Sequence, residues 1–145
     1  MEQEKRKKIT AGGIAGFAIA FIVSFFVVSY FTRGGDDYST LLKTSEEMNK
    51  SFPMTVDNDT RLDSTNVQKE PLTLNYYYTI VTVEKEAIAA NLREVVAQLK
   101  KGTQDNLDKA PEMKEFREKN ISLKYSYYDK KGVFVVDYTI KPTKQ

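Results

Sequence analysis

The chain contains no cysteine and no histidine. Without cysteine there is no disulfide, no thiol nucleophile and no thiolate metal site. Without histidine, the commonest general base, the commonest metal ligand and the usual pH switch near neutrality are all missing. Any catalysis would fall to carboxylates, lysines, tyrosines or hydroxyls. Phosphate-cradling and dinucleotide-binding glycine loops are lacking, as is a Gly-x-Ser-x-Gly elbow, and Gly102 and Gly132 stand alone as punctuation. Nothing calls for a cofactor, and none is expected. An excess of one charge is missing too. Of 22 basic and 20 acidic residues, 4 and 2 lie in the first eight positions, so the remainder carries 18 of each and is neutral. A neutral domain has no field to draw in nucleic acid, so no nucleic-acid partner is expected.

What is present first is an uncharged apolar run from Ile9 to Phe31. As a helix it is roughly 35 Å long, enough to cross a hydrocarbon core of about 30 Å with some tilt. A cleavable signal peptide would have a shorter apolar region followed by small residues. This run ends Val27-Val28-Ser29-Tyr30-Phe31, bulky where a peptidase needs small side chains, which favours an uncleaved anchor. Lys5, Arg6, Lys7 and Lys8 precede it, whereas Arg33, Asp36 and Asp37 follow. The positive-inside rule then places residues 1–8 in the cytoplasm as a basic head, with 9–31 crossing the membrane. Residues 32–37 form a linker, and 38–145 a domain outside the cytoplasm, periplasmic or extracellular. Gly12, Gly16, Ala20 and Ser24 recur every four residues and form a candidate packing face for self-association or a heteromeric helix contact.

The domain reads as α+β. Leu41, Leu42, Ser45 and Met48 mark an amphipathic helix from Tyr38 to Lys50, closed off by Pro53. Met54 to Val67 suits short strands around an Asp57-Asn58-Asp59 turn. Leu72, Leu74, Tyr76, Tyr78 and Ile80 alternate on one strand face. Ile88, Leu92, Val95, Val96 and Leu99 give a helix from Glu84 to Lys101 stopped at Gly102, and Met113 and Phe116 give a shorter one. Ile121, Leu123, Tyr125 and Tyr127, then Phe134, Val136, Tyr138 and Ile140, alternate along the two arms of a hairpin that turns at Asp129-Lys130-Lys131-Gly132. The expected architecture is a small antiparallel sheet with helices on one face. Thr73, Asn75, Tyr77, Thr79, Ser122, Lys124, Ser126 and Tyr128 fall on the other face, which reads as polar and wet.

Two constellations bear on function. Asp57, Asp59, Arg61 and Asp63 sit at the odd positions of a calcium loop. Arg61 is a cation in the fifth place, Leu62 replaces the required glycine and Gln68 the required glutamate, so the spacing reads as a turn with Arg61 paired to Asp57 or Asp63. Among the tyrosines, Tyr76, Tyr78, Tyr125 and Tyr127 belong to the core. Tyr77 and Tyr128 fall on the polar face as a candidate interaction surface, although strand propensity alone would also put tyrosines there. The strings Pro53-Met54-Thr55-Val56-Asp57-Asn58-Asp59-Thr60-Arg61-Leu62-Asp63, Leu74-Asn75-Tyr76-Tyr77-Tyr78 and Leu123 to Gly132 resemble a group of small bacterial exported or membrane-anchored proteins with no assigned activity. Members of that group often carry cysteines here, and this chain departs from them in having none. The resemblance implies a cellular setting and no mechanism. The sequence thus leads to a single-pass, non-enzymatic envelope protein with a protein-interaction or assembly domain, whose partner is another envelope protein or a second copy. A module for a small molecule, lipid or glycan is the alternative and predicts a pocket lined by Tyr76 or Tyr78. A hydrolase using two carboxylates is a more distant one.

Overall fold

The computed structural model describes residues 35–143. The basic head, the apolar run with Gly12, Gly16, Ala20 and Ser24, and residues 32–34 of the linker lie outside the described residues. Among those described, no helix is long and apolar enough to cross a membrane.

Helix α1 (Asp37–Asn49) starts where Asp36 accepts a hydrogen bond from the Ser39 backbone N–H at 2.9 Å. Its buried stripe is Thr40, Leu41, Thr44, Ser45 and Met48, with Leu42 only half-buried. Strands β1 (Met54–Thr55), β2 (Thr60–Gln68) and β3 (Thr73–Ile80) follow, then α2 (Lys85–Ile88), a 3₁₀ turn and α3 (Leu92–Lys109). A second 3₁₀ turn, α4 (Lys114–Glu118) and the hairpin β4 (Ser122–Tyr128) and β5 (Phe134–Ile140) complete the described chain. The strands lie in sequence order in one five-stranded sheet.

The sheet is not wholly antiparallel as expected. β3 and β4 run parallel, with Thr73 opposite Ser122 and Tyr78 opposite Tyr127, while the other neighbours are antiparallel. Alternation of side chains identifies a strand but not its direction. Here α2, α3 and α4 separate β3 from β4, and a connection of that length allows the chain to return to the bottom of the sheet. The helices pack on one face over a single core that includes Leu41, Met48, Leu62, Leu74, Leu107 and Phe116.

The long helix also differs from its sequence reading. It breaks at Ala89–Asn91 and runs through Gly102 to Lys109. Val95, Leu99, Thr103 and Leu107 continue the buried stripe, and the Thr103 hydroxyl donates to the Leu99 carbonyl at 2.8 Å. Burial along that stripe outweighs the roughly 1 kcal/mol that glycine costs within a helix. The helix ends where Ala110, extended, precedes Pro111. The Arg117 guanidinium donates to the carbonyls of Leu107 and Ala110 at 2.8 and 2.7 Å, serving acceptors that the helix end leaves over.

The two sheet edges are treated differently. β1 covers only two positions of β2, Arg61 and Leu62. Beyond them the side-chain amide of Asn49 stands in for a strand: its Nδ2 donates to the Thr65 carbonyl at 2.9 Å and its Oδ1 accepts from the Thr65 N–H at 2.7 Å. The Ser45 and Thr65 hydroxyls meet beside it at 2.8 Å. This clip fastens α1 to the sheet and blunts the edge. Asn49→Ala is expected to lower stability by about 1–2 kcal/mol, read as a lower urea midpoint at unchanged slope. An unchanged midpoint would show that solvent serves Thr65 equally well.

Candidate interaction surface

Five tyrosines occupy the helix side of the sheet, brought together by strand register. Tyr76 and Tyr125 are opposite one another with ring centroids 5.0 Å apart, as are Tyr78 and Tyr127 at 5.0 Å and Tyr125 and Tyr138 at 5.1 Å. All five are buried. Burial pushes the hydroxyls of Tyr76, Tyr78, Tyr125 and Tyr127 well above their ordinary value, and that of Tyr138 up to about 12. They stay neutral near physiological pH, so none is a general base. Tyr76 and Tyr78 pack within the core, and Tyr127 borders a small apolar cleft. The apolar cleft beside them, between Ile80, Ile88, Leu92, Val96, Val135 and Val136, has a volume of ≈ 10 Å³, room for about one water. A ligand pocket is typically about 300–1,000 Å³.

The Tyr78 hydroxyl is buried with no hydrogen-bond partner. Removing it removes a desolvated donor without breaking a bond. Tyr78→Phe is therefore expected to be neutral or stabilising by up to about 1 kcal/mol. A clear fall in thermal midpoint would reveal a partner for that hydroxyl.

The opposite face is less wet than its composition implied. Thr73, Asn75, Thr79, Ser122 and Ser126 are buried. Arg61 pairs with Asp63, which settles its partner, and both bond to the Thr79 hydroxyl. Asn75 donates to Asn66 at 2.8 Å, and the Tyr77 hydroxyl reaches the same Asn66 oxygen at 3.4 Å. Lys124 and Asp137 are 3.6 Å apart. Asp57 accepts from the Asp59 N–H at 2.7 Å and closes the expected turn. Among the described residues no group of acidic side chains is arranged to hold a metal.

The two tyrosines singled out from the sequence share this face and are both half-buried. Tyr77 leans toward Asn66 on β2. Tyr128 instead meets Phe134 edge-on, with centroids 5.7 Å apart. Phe134 was expected in the core by strict alternation. A bulge opposite Tyr127 and Tyr128 inserts Val135, buries it, and turns Phe134 to the open face at 44% exposure. Among the described residues it is, with Val81 (38%) and Val133 (48%), one of three large apolar side chains left exposed, and all three lie at one end of the sheet. The surface the structure offers is therefore Tyr128, Phe134, Val81 and Val133, with Tyr77 at its margin. Bulge position carries no clear mark in a single sequence, and so Phe134 was missed.

The hairpin beneath this surface is set by Asp129, which is 1% exposed. One carboxylate oxygen accepts from the N–H groups of Lys131 and Val133 at 2.8 and 2.9 Å, and the other from Lys85 N–H at 2.9 Å. Gly132, at φ +80°, supplies the left-handed turn residue. Burial raises the Asp129 pKa, but the backbone hydrogen bonds to Val133, Lys85 and Lys131 outweigh it, and the net shift is downward from 3.8.

Two solved structures share the fold. One is a pilotin from the type 2 secretion system of Vibrio vulnificus, with TM-score 0.56 and 6% identity over 74% of this chain and 93% of that one. The other, from Pseudomonas aeruginosa and described as a candidate secreted protein, has TM-score 0.56 and 17% identity over 74% of this chain and 95% of that one. No curated protein matches the chain in sequence. Residues 38–135 match the domain of unknown function DUF8479, and the chain belongs to that family.

Proposed function

We propose that this is a non-enzymatic envelope protein, anchored through residues 9–31, whose domain outside the cytoplasm makes protein contacts or takes part in an assembly. The observation that carries this reading is the pairing of a filled core with an exposed apolar end. The tyrosines that a ligand module would use as pocket lining are stacked on one another, while Tyr128 and Phe134 are left on the open face with Val81. Aromatic and aliphatic side chains placed so are the anchors of protein interfaces. The setting is supported by the resemblance of the Pro53–Asp63 string to exported and membrane-anchored proteins. It is supported also by a fold shared with a secretion-system pilotin and with a protein described as secreted.

The test is chemical cross-linking of the full chain in its native membrane, beside a Tyr128→Ala/Phe134→Ala variant. Both positions lie on the open face away from the tyrosine core, so the variant is expected to fold. Defined protein adducts that disappear in the variant are expected. If no protein adduct forms, or if the variant keeps them all, the interaction reading fails and small ligands become the better search.

A further inference from the structure

The chain between β3 and α3 is fastened unevenly. On the near side the Val81 N–H donates to the Asp59 carbonyl, and the Thr82 hydroxyl to the Asp59 carboxylate, both at 2.9 Å. The Val83 carbonyl accepts from the Lys130 N–H at 3.1 Å. On the far side α3 is seated by buried Val95 and Leu99. Within residues 84–91, between these two holds, Ile88 is the only buried residue, and Glu86, Ala87, Ala89 and Ala90 are exposed. The helix α2 has four residues, too few to be stable by itself, and no side chain caps its start. The 3₁₀ turn Ala89–Asn91 buries nothing, and a 3₁₀ stretch that interrupts a helix is a common hinge. Glu84 lies 3.9 and 3.3 Å from Lys130 and Lys131, but all three side chains are at least 41% exposed, and such pairs hold little.

We propose that residues 84–91 are a lid, which lifts from the sheet as a unit while the rest of the domain stays folded, with Ile88 as its plug and Asp129 as its latch. Ile88 closes the apolar cleft against Ile80, Leu92, Val96 and Val135, and the closed cleft has room for about one water. The latch is the Lys85 N–H, which donates to the buried Asp129 carboxylate at 2.9 Å, a bond strengthened by the charge of its acceptor. Opening gives up one apolar side chain and this bond, far less than unfolding the core gives up. Segments held so lightly open well below the cost of global unfolding. The other Asp129 oxygen accepts from the Lys131 and Val133 N–H groups, so one carboxylate ties the lid to the hairpin that carries Phe134. Lifting the lid uncovers the apolar walls of the cleft next to Val81. The lid works in this way whatever the exposed apolar end binds.

The experiment follows maleimide labelling of single cysteines in the full chain, which has none of its own. Ile88→Cys reports the lid. Leu107→Cys, at a fully buried position on α3, reports unfolding of the whole domain. Ile88→Cys is expected to react at least about 100-fold faster than Leu107→Cys, at a rate nearly independent of urea below the unfolding transition. Equal rates with the same urea dependence would overturn the lid. Lys85→Pro tests the latch, since proline has no N–H to offer Asp129. It is tolerated there because Lys85 opens α2 and Glu84 before it is extended, at φ −93° and ψ 159°. Added to Ile88→Cys, it should speed labelling about tenfold; added to Leu107→Cys, it should change nothing. No change in either chain, or an equal acceleration of both, would remove Asp129 as the latch. Hydrogen exchange of the unsubstituted chain checks that the cysteine does not itself create the opening. Residues 88–91 should exchange together and well before the rest of α3, and equally slow exchange would contradict the lid.

Discussion

Tyr125→Ala should cost about 3–5 kcal/mol, enough to leave the domain marginal or unfolded at ordinary temperature, since domains of this size are stable by about 5–15 kcal/mol. Tyr125 stands at the centre of the tyrosine cluster, 5.0 Å from Tyr76, 5.1 Å from Tyr138 and 6.3 Å from Tyr78. Truncation leaves a cavity in the core and removes ring contacts on both sides at once. Phe134→Ala removes an aromatic ring of similar size one strand away and should cost far less, about 1 kcal/mol or below, because that ring is 44% exposed and touches Tyr128 on the open face rather than the core. Urea unfolding of the two variants, followed by near-ultraviolet circular dichroism, compares them directly. Equal losses would mean that the bulge does not place Phe134 outside the core.

The second large effect is at the hairpin. Asp129→Ala strands three backbone N–H groups that the carboxylate now serves, and a fall in Tm of roughly 10 °C is expected. Asp129→Asn is milder, because its oxygen can still accept from Lys131 and Val133 while its NH₂ faces the Lys85 N–H. The pH dependence follows from the direction of the shift. A carboxylate whose folded pKa lies below 3.8 contributes stability that is present above that value and is lost as the pH falls below it. Asp108 acts in the same sense. Burial raises its pKa, but hydrogen bonds from the Thr143 N–H at 2.9 Å and hydroxyl at 2.7 Å, and from Gln104, bring it below 3.8. Tm should be flat from neutrality down to about pH 4 and fall below that, with a shallower fall in Asp129→Asn. A variant that tracks the parent at every pH would remove Asp129 from the acid transition.

Much of the fold was legible because the strands alternate cleanly. Leu74, Tyr76, Tyr78 and Ile80 are buried as their period required, and the Asp-Lys-Lys-Gly turn and the Met113 and Phe116 helix fall where their residues put them. What escaped was set by contacts far apart in sequence. The parallel pairing of β3 with β4 depends on where three helices carry the chain. The continuation of α3 through Gly102 depends on burial of Thr103 and Leu107, since local propensity favours a stop. The candidate surface shows both cases. Tyr128 was placed by alternation alone, whereas Phe134 joined it through a one-residue bulge. The Asn49 clip needs an amide sixteen residues from the strand it caps, and nothing local marks it.

The absence of native cysteine makes the central claim, that the domain is presented outside the cytoplasm, open to direct measurement. Single cysteines at Lys100, exposed on α3, and at Gln3, in the basic head, would be treated in intact cells with a maleimide that cannot cross the inner membrane, the outer membrane being opened where there is one. Labelling of Lys100→Cys at once, and of Gln3→Cys only after the inner membrane is opened, is the expected result. Protection of Lys100→Cys until lysis would contradict the claim and return the domain to the cytoplasm.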